Sequence, residues 1–114
     1  KRRKNAAFYD KVFAGSPIKT PKIDKNNVSI YHQYTVALPE RDRLQKFLAK
    51  NNIGSAIFYP QPLHLQECFS ELGYKPGDLP ITERLCGEVL SLPVYPELSQ
   101  EQLEYVADTV LKFF

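Results

Sequence analysis

The sequence predicts an α/β (α+β) two-layer sandwich: a small, mainly antiparallel sheet with helices packed on one face. Three observations lead there. Apolar residues recur at three- and four-residue spacings in several separate stretches, as amphipathic helices require. Only two or three short runs have strand composition, so strands are few. The chain has 114 residues, 43% of them apolar, which is enough for one domain with its own core. Few strands and several helices fit a two-layer arrangement. Residues 1–114 read as a single domain, with no internal repeat and no low-complexity segment.

The first helix is expected over residues 2–14, with Ala6, Tyr9 and Phe13 on one face and Val12 beside them. Gly15 suits the position after a helix end, and Pro17 blocks continuation. No cap precedes this helix, as in a piece cut from a longer chain. Residues 16–31 are rich in Pro, Lys, Asn and Ser and read as an extended connection. The run 32–38 follows as a strand, closed by Pro39, with Tyr34, Val36 and Leu38 on its apolar face. Residues 40–51 form the clearest helix, with Leu44, Phe47 and Leu48 as the buried stripe. Glu40 and Asp42 in its first turn complement the helix dipole, as do Lys46 and Lys50 further on. Asp42 and Lys46 can also pair four residues apart. Asn51 and Asn52 suit a left-handed end.

Residues 53–59 read as a second strand that runs into Pro60-Gln61-Pro62-Leu63-His64, a turn stiffened by two prolines. A short helix is expected at about 65–72, with Leu65, Phe69 and Leu72 inward and Gly73 as terminator. Residues 74–80 form a turn-rich loop. Ile81, Leu85 and Val89 recur every four residues and predict another helix, and 90–93 a short strand. Ser99-x-x-Gln102 is a capping-box pattern. It opens a last helix with Leu103, Val106, Val110 and Phe113 on one side.

Composition excludes several classes. A net charge of +2 is too balanced for a dedicated nucleic-acid binder. No apolar run reaches the roughly 18 residues of a membrane span. The basic run Lys1-Arg2-Arg3-Lys4 precedes no apolar segment, so it is not a signal peptide; it reads as a solvated helix end. Two Cys and two His without close pairing make no zinc site. Cys68 and Cys86 fall on helical patterns and read as buried free thiols, which fits a reducing, cytoplasmic setting. Five scattered glycines form no phosphate loop or dinucleotide fingerprint, and no Ser or Cys sits in a nucleophile motif.

Chemistry concentrates in two places. In Tyr59-Pro60-Gln61-Pro62-Leu63-His64-Leu65-Gln66, a phenol, an imidazole and an amide converge on a rigid turn at a strand end. His64 can donate to a phosphate or sugar hydroxyl, or move a proton near neutral pH. The alternative is that it caps the next short helix or a turn carbonyl. In Tyr31-His32-Gln33-Tyr34, a polar ring can line a cleft. Here Tyr34 alternates with Val36 and Leu38 and suits the core, while His32 suits either a cleft or a surface edge. From the residues alone, the reading is an α/β domain with one ligand edge.

Several pieces then recur in a known order. They are Arg2-Arg3 with Ala7 and Tyr9, His32-Gln33-Tyr34, Arg41-Asp42-Arg43-Leu44, Asn52-Ile53-Gly54, Tyr59-Pro60-x-Pro62-Leu63-His64-x-Gln66, Pro80 with Glu83, and Leu90-Ser91-Leu92-Pro93-x-Tyr95-Pro96-x-Leu98. Across nearly the whole chain this set resembles the C-terminal domain of the DegT/DnrJ/StrS family of sugar aminotransferases that use pyridoxal phosphate. The resemblance implies the small domain of a fold-type-I enzyme. The cofactor lysine and most of its pocket would lie in a large N-terminal domain with no counterpart here. None of this chain's lysines matches the family's Schiff-base position, so the chain alone should not transaminate.

For the parent enzyme the resemblance implies transfer of an amino group from glutamate to a nucleotide-linked ketosugar, for polysaccharide or glycoconjugate synthesis. The parent would be a homodimer with sites at the subunit interface. By motif position, Tyr59 and His64 would hold the sugar or diphosphate, and His32 and Tyr34 would assist; these are positioning roles. The Tyr-Pro-x-Pro-Leu-His form is similar to members acting at sugar C3 rather than C4. Two other readings stand beside this one: a stand-alone binding module for a metabolite or partner, and a non-catalytic relative that has lost the lysine.

Overall fold

A computed structural model describes residues 1–114. Helix α1 spans Arg2–Val12, strand β1 Tyr34–Ala37, helix α2 Arg41–Lys50, helix α3 Pro80–Glu88, strand β2 Val89–Leu92 and helix α4 Gln100–Leu111. Two short 3-10 helices, Leu63–Leu65 and Glu67–Leu72, lie between α2 and α3. The two strands pair antiparallel, with Tyr34 opposite Leu92 and Val36 opposite Leu90. These four side chains share one face and are all buried. On the other face the Thr35 and Ser91 hydroxyls meet at 2.7 Å. Period-two alternation thus gives each strand one apolar face, and α1, α2 and α4 cover it.

The core is the one the spacing predicts for these elements except at Phe47, which is only half-buried and sits outside it with its ring 5.8 Å from that of Phe113. Ala6, Tyr9 and Phe13 come from α1 and its end, Leu44 and Leu48 from α2, and Leu103, Val106, Ala107 and Val110 from α4. Each large side chain fully buried there is worth roughly 1.5–3 kcal/mol of transfer free energy. Phe113 packs on the core from just beyond α4. The Ser99 capping box forms in full: its Oγ accepts from Gln102 N–H, and Gln102 Oε1 accepts from Ser99 N–H. Gly15 (φ +80) and Gly73 (φ +75) adopt the left-handed turns expected of them, and Asn52 (φ +57) does so after α2.

The structure departs from expectation in several places. The run Ile53–Tyr59 is not a strand: only Ala56 bridges to Ser91, exchanging bonds of 3.1 and 2.8 Å. The prolines at 60 and 62 have no N–H to extend a ladder, and Phe58 and Tyr59 turn outward. The connection 16–31 buries Ile18 and bridges Lys19 to Ala37, adding a contact on the far edge of β1. Asp42 bonds Arg41 rather than Lys46, and Glu40 pairs with Arg43. The helix expected at 65–72 breaks in two, because Gln66 is extended (ψ 144°). Phe69 and Leu72 are exposed there, and so are Ile81 and Leu85 on α3, while Val89 already belongs to β2. Finally, Cys86 is buried as expected, but Cys68 is exposed.

Candidate functional site

Polar bonds fix the end of the sheet where β1 begins and β2 ends. Tyr9 Oη donates to Pro93 O at 2.9 Å and Asn5 Nδ2 to Tyr95 O at 2.9 Å, which ties α1 to the segment leaving β2. A cavity of about 260 Å³ opens here, with Arg2, His32, Gln33, Ser55, Phe58 and Tyr95 among its walls. His32 is exposed, and its carbonyl accepts from Arg2 Nη1 at 3.0 Å. The cavity combines a guanidinium, an imidazole and two aromatic rings, a set suited to an anionic, ring-bearing ligand.

Tyr34 follows the wall residue Gln33 in sequence and has no exposed surface. Its hydroxyl donates to Asp10 Oδ1 at 2.6 Å, and its ring lies 5.1 Å from that of Tyr9. Burial, then the neighbouring Asp10 carboxylate, raise its pKa well above that of a free phenol. It is buried in the core, as its alternation with Val36 and Leu38 foreshadows.

Tyr59 and His64 occupy a different neighbourhood. Tyr59 is exposed and lines a mostly apolar hollow of about 330 Å³ with Gln61, Leu63, Thr82 and Leu85. His64 is turned inward, with 6% of its side chain exposed. Its Nε2 lies 3.2 Å from Glu83 Oε1, and its ring meets Tyr74 edge-on at 5.7 Å. Glu83 also accepts from the N–H groups of Gly77 (2.9 Å) and Leu79 (3.2 Å). The Gly77 bond, the largest contribution, outweighs the opposing desolvation and, with smaller contributions from Leu79 and His64, holds the Glu83 pKa below the ordinary carboxylate range. An ionised carboxylate only accepts, so His64 donates through Nε2–H. The ring is thus neither a helix cap nor a carbonyl cap; it clasps the turn after Pro62 to the start of α3. The structure brings His32 to the sheet-end cavity and His64 to this clasp, and the two do not share a cavity.

Sequence reasoning missed three polar residues. Arg2 belongs to a run that reads as solvated, yet it reaches across to residue 32. Glu83 stands in the recurring pattern, and its position four residues after Leu79 is the only local hint of its capping role. Arg41, 6% exposed, sends Nη1 to Val89 O (2.8 Å) and Nη2 to Cys86 O (3.2 Å), closing the end of α3. No group of three or more His, Cys, Asp and Glu side chains is placed to hold a metal ion, and no helix is long and apolar enough to cross a membrane.

The fold defines a class: a small α+β domain with a two-stranded antiparallel sheet and a cavity at the end of that sheet. The chain belongs to the DegT/DnrJ/EryC1/StrS aminotransferase family, whose model matches residues 1–111. It is 44% identical over 116 residues to a pleiotropic regulatory protein of Geobacillus stearothermophilus, covering 99% of this chain and 31% of that one. It is 34% identical over 113 residues to a dTDP-3-amino-3,6-dideoxy-alpha-D-galactopyranose transaminase of Aneurinibacillus thermoaerophilus, with coverage of 99% and 31%. The crystal structure of DesV from S. venezuelae superposes with a TM-score of 0.93 at 33% identity, over 98% of this chain and 30% of that one. The chain therefore spans about a third of the length of these relatives.

Proposed function

We propose that this chain is the small domain of an aminotransferase that uses pyridoxal phosphate to convert a nucleotide-linked ketosugar to an aminosugar, with glutamate as amino donor. The observation that carries the reading is the family match over residues 1–111, together with 34% identity to a dTDP-sugar transaminase. That relative's name places its amino group at C3, which supports a 3-ketosugar as substrate. The product would enter polysaccharide or glycoconjugate synthesis. The enzyme would act as a cytoplasmic homodimer.

All ten lysines of this chain are exposed. In the proposed enzyme the rest of the longer protein holds the cofactor, which supplies the electron sink for amino transfer. The small domain binds and orients the sugar nucleotide. His32 in the sheet-end cavity and Tyr59 on its exposed turn face the substrate, His64 fixes the turn that carries Tyr59, and Tyr34 backs the cavity wall.

The test uses the full-length protein with pyridoxal phosphate, glutamate and dTDP- or UDP-linked 3-ketosugars. Mass spectrometry should show replacement of the ketone oxygen by an amino group, with 2-oxoglutarate formed in equal amount. A second reading is favoured by the 44% identity to a protein named as a pleiotropic regulator: a relative that keeps the fold without the chemistry. A full-length protein that binds no pyridoxal phosphate and transfers no amino group would establish that reading, or that of a stand-alone binding module, in place of the enzyme.

A further inference from the structure

We propose that Arg2 is a positioning residue that sets His32 at the sheet-end cavity by bracing Tyr31 in the left-handed region. The inference rests on the reading that this cavity faces substrate. Tyr31 has φ +48, one of two non-glycine residues in the chain with positive φ. A bulky aromatic residue rarely adopts this conformation, and it persists only where neighbouring contacts over-determine it. Three sets of contacts do so here. Ser29 Oγ accepts from Tyr31 N–H at 3.1 Å. Arg2 Nη1 donates to the carbonyls of Tyr31 (3.4 Å) and His32 (3.0 Å). The half-buried Tyr31 ring rests 6.2 Å from that of Tyr34, which Asp10 of α1 anchors in turn.

The turn lies immediately before His32 and just ahead of β1, so the backbone angle at Tyr31 sets where His32 enters the cavity wall. The reach of Arg2 runs against its local setting. A cation in the first turn of a helix opposes the helix dipole, and solvent is the default place for its charge. Its guanidinium nevertheless crosses to two consecutive carbonyls about thirty residues away. Both bonds leave the same nitrogen, Nη1, which the planar guanidinium holds in a fixed orientation, whereas a lysine ammonium is a point charge on a flexible stem.

The experiment compares wild type, Arg2→Met, Arg2→Lys and the double variant Arg2→Met/Tyr31→Gly in the full-length protein. Glycine takes positive φ without steric penalty, so it should replace the brace. Arg2→Met should raise KM for the sugar nucleotide about tenfold with kcat little changed, the factor implied by an unbraced left-handed residue. Arg2→Lys should fall between, and the double variant should recover most of the loss. In the crystal structure of Arg2→Met, Tyr31 should leave the left-handed region and His32 should shift. A Tyr31 that keeps its positive φ in that variant, with His32 unmoved, overturns the brace whatever the kinetics. A raised KM that Tyr31→Gly does not restore overturns it as well, because Arg2 would then be touching substrate directly. If wild type transfers no amino group, the functional reading fails, and the brace is judged on the Tyr31 backbone angle alone.

Discussion

Replacing Arg41 by methionine removes a buried guanidinium while keeping most of its apolar stem. In the native chain that group satisfies Val89 O at 2.8 Å and Cys86 O at 3.2 Å, both at the junction of α3 and β2. A hydrogen bond from a charged donor contributes about 1.5–3 kcal/mol, and a buried carbonyl left without a partner costs about 1–3 kcal/mol. Arg41 also bonds Asp42, but that carboxylate is 71% exposed, so the pair adds little. Against these gains stand the dehydration of the guanidinium and its position in the first turn of α2, where the helix dipole disfavours a cation. The two carbonyls decide the balance, and the net loss should be about 2–4 kcal/mol. Urea unfolding of wild type and Arg41→Met, followed by circular dichroism, reads this as a lower midpoint at unchanged slope. Arg41→Lys should recover less than half, because a point donor cannot serve both carbonyls in the same geometry. An Arg41→Met protein within about 0.5 kcal/mol of wild type would refute the reasoning: the bonds would then only offset the dehydration.

Other outcomes follow from the same contacts. Burial holds the pKa values of Tyr9 and Tyr34 above that of a free phenol, so their neutral forms favour folding; that contribution is whole below the ordinary value of 10.0 and is lost as pH rises beyond it. In an alkaline titration followed by tyrosinate absorbance, these two rings should ionise only as the chain unfolds, and Tyr34→Phe should remove one of them. The lowered Glu83 pKa has the opposite sign. Its stabilisation is present above the ordinary value of 4.5 and is lost as pH falls through the lower folded value, so Glu83→Gln should flatten the acid side of the stability profile; an unchanged profile would exclude the clasp. Ser99→Ala breaks the capping box and should cost about 1 kcal/mol in urea unfolding.

The body of the fold was legible because several signals agreed in the same stretches. In α2 the stripe of Leu44, Phe47 and Leu48, the acidic first turn and the left-handed Asn52 all point to one helix, and the helix forms with Leu44 and Leu48 buried and Phe47 half-buried. In α4 the capping box fixes the start to the residue. Around the candidate site the signals are non-local. The link from Arg2 to His32 spans thirty positions, that from Arg41 to Val89 forty-eight, and that from Tyr9 to Pro93 eighty-four. Each ends on a backbone carbonyl, which every residue possesses, so no residue type marks the partner. The left-handed Tyr31 carries no mark either, since glycine or asparagine would ordinarily announce such a turn.

The stretch from Phe58 to Leu85 shows a different limit. Phe69 and Leu72, and Ile81 and Leu85, keep the three- and four-residue spacing of an inward face, yet all four are exposed. His64 is the only buried residue in that stretch. Periodicity reports that a face is built to be covered; it does not report by what. Where the covering elements lie in the same core, as for α1, α2 and α4, spacing and burial agree. Where the chain's own core does not reach, the same spacing leaves an apolar surface. What orders that surface is then polar: the His64–Glu83 clasp with its Gly77 and Leu79 bonds on one side, and the Arg41 fork at the end of α3 on the other. The hollow lined by Tyr59 and Leu85 is therefore shaped by residues that never touch it, and so the chemistry-bearing turn at 59–64 was easier to find in the sequence than the groups that hold it in place.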